Sequence, residues 1–373
     1  MQNVQTLPEK LSAKKGFDLN MIIGLDGFVD EIIHVVDKRQ DFQNYSRINT
    51  IAEFGERVSK AAGFSANFEF VPAQTKLGGN GPILSNALLE YGVSLSYVGS
   101  LGKPTVHSVF QPMVDKAKAV YTLCGPGLTD ALEFEDGKLM LGKLATLKEI
   151  TWPACKEALG GAEGIAKLIN ECHLFGMENW TMIPYMSDIW EGMINEVFPL
   201  LADKPEKPLA FFDLADPQKR TKEDIFRAME LISKFENKFR TILGLNEAEA
   251  YQIANVMGVN VEEGPDKLKN AVIETAKKLG IYCLMVHPVK SACCVIGGEY
   301  FSTDGPYCEK PVLTTGAGDN FNAGFCLGQA LGLDPLASLT LGVCTSGFYV
   351  RNAHSPTFEQ VITFAENWEK GAI

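Results

Sequence analysis

Apolar and polar positions along the chain fall into short runs with a strand–helix rhythm. Met21–Gly24 is an apolar run of strand length ending in glycine, and Val93–Val98 alternates with β-branched residues. Between them, Ile83–Tyr91 has helical periodicity and Gly92 stands where a helix would stop. From about residue 150 the pattern is regular. Helix 154–170 precedes strand 172–176, helix 187–202 precedes strand 208–213, and helix 222–236 precedes strand 239–243. Helices 246–257 and 265–279, strands 281–286, 292–296 and 299–301, a helix after Asp319, and helices 335–351 and 357–370 complete the chain. Such alternation predicts an α/β fold with a mostly parallel sheet covered on both faces.

Two stretches, 30–75 and 105–145, break the rhythm. They hold a helical pattern near 48–62, extended segments, and a hairpin-type turn at Glu135-Asp-Gly137. They are expected to form a small β lid over the sheet edge, inserted in a single domain spanning 18–372. A lid with one uncovered apolar face would favour pairing of two chains, since open edges and faces tend to be covered.

Composition narrows the function classes. Of 373 residues, 46% are hydrophobic and 21% charged, as in a soluble protein with a sizeable core. The net charge of −12 comes with no basic stripe, so no nucleic-acid partner is expected. No run reaches membrane-span length, and residues 1–19 lack a signal-peptide core, so no membrane partner is expected either. Nine cysteines without CxxC spacing read as reduced thiols of a cytoplasmic protein. The five histidines show no metal-ligand spacing.

The candidate chemistry lies at 312–325, Val-Leu-Thr-Thr-Gly-Ala-Gly-Asp-Asn-Phe-Asn-Ala-Gly-Phe. Val312 and Leu313 read as a strand end. Gly316, Ala317 and Gly318 can turn sharply and present N–H groups at the mouth of a helix, where an anion is favoured. Asp319 follows at once. A carboxylate beside a nest of amides suits phosphoryl transfer, with the amides holding charge while the carboxylate takes a hydroxyl proton. The bland alternative is that Gly-Asp merely caps a helix. Asp26 and Asp30 stand at the exit of the first strand and suit sugar hydroxyls, which carboxylates bind with several hydrogen bonds. Lys76-Leu-Gly-Gly-Asn-Gly-Pro82 is a glycine loop whose Gly78 and Gly79 let a ligand approach the backbone. Asn246 and Glu249 have capping-box spacing, a reading that does not exclude a functional one.

Taken in order, the acidic strand exit, the glycine loop and Gly316–Asp319 resemble the ribokinase-like carbohydrate kinases (the PfkB family), over about residues 20–365. The most specific match is Thr314-Thr-Gly-Ala-Gly-Asp-Asn-Phe-Asn-Ala-Gly, which is similar to the family's C-terminal signature. The resemblance implies a three-layer sandwich with a β lid. It implies Asp319 as catalytic base and Gly316, Ala317 and Gly318 as the anion hole. Asp30, Asp26, Gly78, Gly79, Asn80 and Glu178 become sugar-side candidates. Asn246, Thr314, Lys290 and Asn352 become nucleotide-side candidates, with Glu249 acting near magnesium. ATP and Mg²⁺ are the implied cosubstrate and ion.

Three positions depart from the family pattern. Leu313 stands where the family has an aspartate that helps hold a monovalent cation, which leaves that ion open. Ile83 stands where an asparagine often reaches the sugar, with Asn80 as its substitute. His287-Pro-Val-Lys-Ser291 replaces a glycine-bearing nucleotide segment. The expected activity is phosphorylation of a hydroxymethyl group on a sugar or sugar derivative. A nucleoside kinase, an ADP-dependent sugar kinase and a non-catalytic sugar-binding protein are the rivals. A dinucleotide dehydrogenase is disfavoured because no GxGxxG follows the first strand.

Overall fold

The computed structural model describes residues 6–373. Fourteen strands are found in these residues: β1 (Asn20–Leu25), β2 (Phe28–Arg39), β3 (Tyr45–Arg47), β4 (Phe70–Gly78), β5 (Ser94–Gly99), β6 (Ala119–Thr122) and β7 (Gly127–Phe134), then β8 (Gly137–Lys143), β9 (Leu174–Met177), β10 (Leu209–Asp213), β11 (Arg240–Leu245), β12 (Cys283–Val286), β13 (Ser291–Ile296) and β14 (Glu299–Asp304). Nine of them form one sheet in the order β14-β13-β12-β11-β10-β9-β1-β5-β6, in which every neighbouring pair is parallel except β12–β13 and β13–β14. The chain leaves β1 toward β5 and β6, then returns to add β9–β12 on the other side. β1 therefore sits at the point where the winding reverses, the place where open α/β sheets bind ligands.

Strand alternation feeds two cores. In β1, Ile22 faces one layer and Met21 and Ile23 the other; in β10, Ala210 and Phe212 oppose Leu209 and Phe211. The first layer holds helices Trp152–Leu159, Gly161–Asn170, Met186–Gly192 and Lys222–Phe235, and the second holds Asn80–Glu90, Ala317–Ala330, Pro335–Asn352 and Phe358–Glu369. The continuous helix expected over 154–170 is two helices. Gly160 and Gly161 both take left-handed backbone (φ 77° and 80°), which only glycine adopts at little cost, and they break the run. The helix expected over 187–202 likewise leaves α-geometry after Gly192.

The small sheet centres on β2, which pairs antiparallel with β4 and parallel with β7; β8 extends it beyond β7, and β3 pairs with the far end of β2. Its strands lie at 28–78 and 127–143. The stretch 105–126, expected to belong to the lid, instead supplies short helical turns and β6, the edge strand of the large sheet. The expectation of an uncovered apolar lid face is also corrected over the outer half of the sheet. There Ile33, Val35, Leu132 and Phe134 are buried beneath helix Ile51–Lys60, with Phe54 and Phe68 packed against them.

Candidate active site

Five neighbouring parallel strands each deliver a polar side chain at their C-terminal end: Asp26 after β1, Glu178 after β9, Asp213 in β10, Asn246 after β11 and His287 after β12. Asp26 is fully buried and faces protein. Its carboxylate accepts N–H bonds from Asn80 (3.0 Å) and Gly81 (2.9 Å) and one from Asn179 Nδ2 (2.7 Å). It thereby anchors the open amides at the start of helix Asn80–Glu90. Burial raises it to about 6, against the pull of those donors. A side chain at Gly81 would meet Asp26 at 2.7 Å and the Tyr97 hydroxyl at 2.6 Å, so this glycine admits the carboxylate.

Glu178 is sealed from solvent, and neither carboxyl oxygen has a partner among the described residues. Burial, then Asp213, Asp319 and Asp26, push it well above the carboxylate range. Asp213 accepts from the Ala215 amide (2.9 Å) and from Asn322 Nδ2 (3.0 Å); burial and then Glu249 raise it to about 8. Asn246 and Glu249 do form the reciprocal capping box. Glu249 in addition accepts the Asp216 amide at 2.8 Å, leaving lone pairs on both oxygens. His287 packs its ring 5.2 Å from that of Phe321, and desolvation lowers it to about 4, so it is neutral.

Helix Ala317–Ala330 closes the site. Gly316 is its cap residue, with left-handed φ of 87°, and Asp319 sits in the first turn rather than at the cap. Val312 and Leu313 are loop, not strand; the Val312 amide bonds the Val350 carbonyl at 2.8 Å. The Asp319 carboxylate accepts from Asn80 Nδ2 at 2.9 Å. Burial raises it well above the usual range, followed by Asp213 and Asp26. Of the three expected nest amides, that of Ala317 turns inward to the Thr314 carbonyl (3.1 Å). The N–H groups of Gly316, Gly318 and Asp319 have no backbone acceptor among the described residues.

Two cavities flank this helix start. One, of about 350 Å³, is lined by Asn246, His287, Thr314, Ala317 and Gly318 and by apolar groups including Val343 and Val350. That mix of a wide apolar wall and a few polar groups suits a cofactor-sized ligand. Lys290 is not part of its lining; its ammonium lies 4.7 Å from the centre of the Tyr307 ring. Asn352 is exposed and donates to the Phe348 carbonyl. The second cavity lies between lid and helix start, lined by Asp30, Ile32, Lys76, Ile83, Leu313, Thr315 and Tyr349 among others. At about 40 Å³ it has room for only a few water molecules. Gly78 and Gly79 line neither cavity. A side chain at Gly78 would meet the Asp30 carboxyl at 2.4 Å, and Gly79 turns the chain at φ 95° beside Asp26.

The sequence assigns no site role to Asp213, His287, Asn179, Asn322 or Tyr349, although His287 opens the nucleotide-side segment. The first two ended apolar strand patterns, and the rule that ligands gather at strand C-termini would have flagged them. Asn322 lies inside the 314–324 motif but had no role of its own there, and Asn179 and Tyr349 carry no local signal: they enter the site only through tertiary contact.

With this geometry in place, comparison with known proteins decides the family. A family profile described as prokaryotic ketohexokinase matches residues 2–368. The chain belongs to the prokaryotic ketohexokinase family. A ketohexokinase of Haloferax volcanii is 30% identical over 368 residues, covering 98% of this chain and 94% of the relative. Solved structures share the ribokinase-like fold at low identity. Phosphofructokinase-2 from Escherichia coli, in complex with substrates and products, has TM-score 0.63 at 10% identity and covers 95% of this chain and 100% of that one. Ribokinase of Arabidopsis thaliana, complexed with ribose and ATP, has TM-score 0.61 at 15% identity, covering 94% and 98%. This family member is thus a carbohydrate kinase with a ribokinase-like α/β fold. Among the described residues no helix is long and apolar enough to cross a membrane.

Proposed function

We propose that this kinase transfers the terminal phosphoryl group of ATP to a hydroxymethyl group of a ketohexose. The observation that carries the reading is Asp319, held by Asn80 beside three open amides, between one cavity suited to a nucleotide and another under a lid. Asp319 accepts the proton of the attacking hydroxyl. Its raised proton affinity suits a general base, whose strength should approach that of the working pH. The Gly316, Gly318 and Asp319 amides, with the helix dipole, hold charge on the transferred group. Asp30, on the inner face of the lid, binds sugar hydroxyls, and the closed lid keeps water from competing as acceptor.

Among the described residues no group of three or more His, Cys, Asp or Glu side chains forms a metal cage. Mg²⁺ is usually held by one or two carboxylates together with substrate phosphates. Glu249, with free lone pairs at the nucleotide end, would hold it through water, and the ion would neutralise charge on the phosphates. A structure of a putative ribokinase II from E. coli holds ATP and Mg²⁺. Leu313 offers an apolar side chain where a monovalent cation would need oxygen. The nine free cysteines fit a cytoplasmic setting. Among the described residues the outer edges of β4 and β8 are unpaired, so two lids joining edge to edge would account for a homodimer; a single monomeric species in sedimentation would exclude it.

A coupled ATP-consumption screen over ketohexoses, aldohexoses, pentoses, sugar acids, sugar phosphates and nucleosides tests the activity. A ketohexose should give the highest kcat/KM. A nucleoside as best acceptor, a strict need for ADP as donor, or sugar binding in calorimetry without product would overturn it.

A further inference from the structure

The inner face of the lid changes character along its strands. Strand registers set the side chains of β2, β4, β7 and β8 in rows across that face. The row nearer the large sheet is polar: Asp30 stands between Lys76 on one side and Thr129 on the other. The next row, two residues or about 7 Å further out, joins Ile32, Ala131 and Met140. All three line the cavity under the lid. So does Leu313, which belongs to the opposite wall and bonds the Val350 carbonyl through its amide (3.3 Å). An apolar band therefore crosses the outer end of the cavity. Met140 is 48% exposed, so this methionine overlooks the site and fills no core.

The polar groups beside this band are already engaged. Lys138, in the row beyond it, is held by Glu133 at 3.1 Å. The Tyr349 hydroxyl donates to the Thr315 carbonyl at 2.8 Å. The inner end of the cavity abuts the nest, since a side chain at Gly316 would meet Ile83 at 3.1 Å and the Tyr349 hydroxyl at 3.0 Å. The reacting hydroxymethyl group belongs at that inner end, by Asp319. The last carbon of a six-carbon acceptor then reaches the apolar band. A hydroxyl placed there gives up water without gaining a partner, whereas a methyl gains apolar contact.

We propose that the acceptor is a 6-deoxyketohexose, a sugar whose last carbon is a methyl group and whose hydroxyls meet the inner, polar row. This deepens the kinase reading above and rests on it. An enclosed apolar pocket disfavours an added hydroxyl by about 100-fold, and this band, with Met140 half exposed, should reach about 10-fold. The test compares 6-deoxy-D-fructose with D-fructose, which differ in that one hydroxyl. It uses the full-length enzyme with MgATP in a coupled assay, and calorimetry for the binding of each sugar. The 6-deoxy sugar should give a kcat/KM about 10-fold higher, with the gain in KM. Met140→Gln, which puts an amide into the band, should bring the ratio of the two kcat/KM values to about one or below, with an unchanged melting temperature. Leu141→Gln, at the comparably exposed neighbour on the other face of β8, should leave the ratio at its wild-type value. Equal or better use of D-fructose by the wild type would overturn the proposal, and so would a ratio that Met140→Gln does not move. Either result leaves the kinase reading standing. An enzyme that neither binds nor phosphorylates either sugar overturns the kinase reading itself, and this proposal with it.

Discussion

The floor and the lid of the site hold two aspartates four residues apart that answer to opposite physics. Asp26 leaves β1 into the protein, is wholly buried, and uses its carboxylate to tie down two backbone amides and Asn179. Asp30, one turn of chain later on β2, lines the lid cavity beside Lys76. Burial raises it too, with Thr129 and Lys76 pulling the other way. The sequence presents both as acidic residues at a strand exit. What separates them is that β1 belongs to the large sheet and β2 to the small one, so one carboxylate ties down amides of the site and the other lines the cavity under the lid, where we propose that it meets the acceptor.

That contrast can be broken by substitution. Asp26→Asn replaces an acceptor-only group with one whose amide would face a backbone N–H. It should cost about 2–4 kcal/mol of stability, read as a lowered urea midpoint; unchanged stability would make Asp26 a mere bystander. Asp30→Asn should leave the urea midpoint in place and raise the acceptor KM about 10–100-fold, the loss of one or two charged hydrogen bonds. If it instead unfolds the protein and spares KM, the division between floor and lid is wrong.

A smaller effect sharpens the account of the floor. The base works only when ionised, so kcat/KM should rise with pH through the raised value of Asp319. Removing the neighbouring negative charge in Asp213→Asn lowers the proton affinity of Asp319. The acid limb should move down by about one pH unit, and an unmoved or upward-moved limb would contradict the coupling. Smallest of all, Glu249→Gln should raise the magnesium needed for half-maximal rate a few-fold. A superimposable magnesium titration would remove Glu249 from that role.

The same contrast explains what could be read from the chain. Periodicity gave the parallel sheet, since each apolar run of β9–β12 is buried on both faces and each intervening helix has an apolar stripe. Gly316–Asp319 was visible because it lies inside the longer 314–324 motif, which sets the ordinary cap reading of Gly-Asp aside. Partnerships across the fold were not visible. Nothing local to Asn80 shows that it will meet Asp319, 239 residues away, or that Ala317 will turn its amide inward to Thr314. The lid was misjudged at 105–126 because a short extended segment looks alike whether it joins β5 or β7. Gly78 and Gly79 suit close approach of a ligand and equally make room here for Asp30 and for a turn, uses that composition alone cannot tell apart.

The account stands most directly on the proton taken by Asp319. Asp319→Asn keeps the side chain's size and a bond to Asn80, so the purified variant should melt as the wild type does and bind MgATP and ketohexose with similar affinity. Its kcat should fall by about 10²–10⁴. A well-folded Asp319→Asn enzyme turning over at a rate near wild type would contradict the claim that this carboxylate is the base.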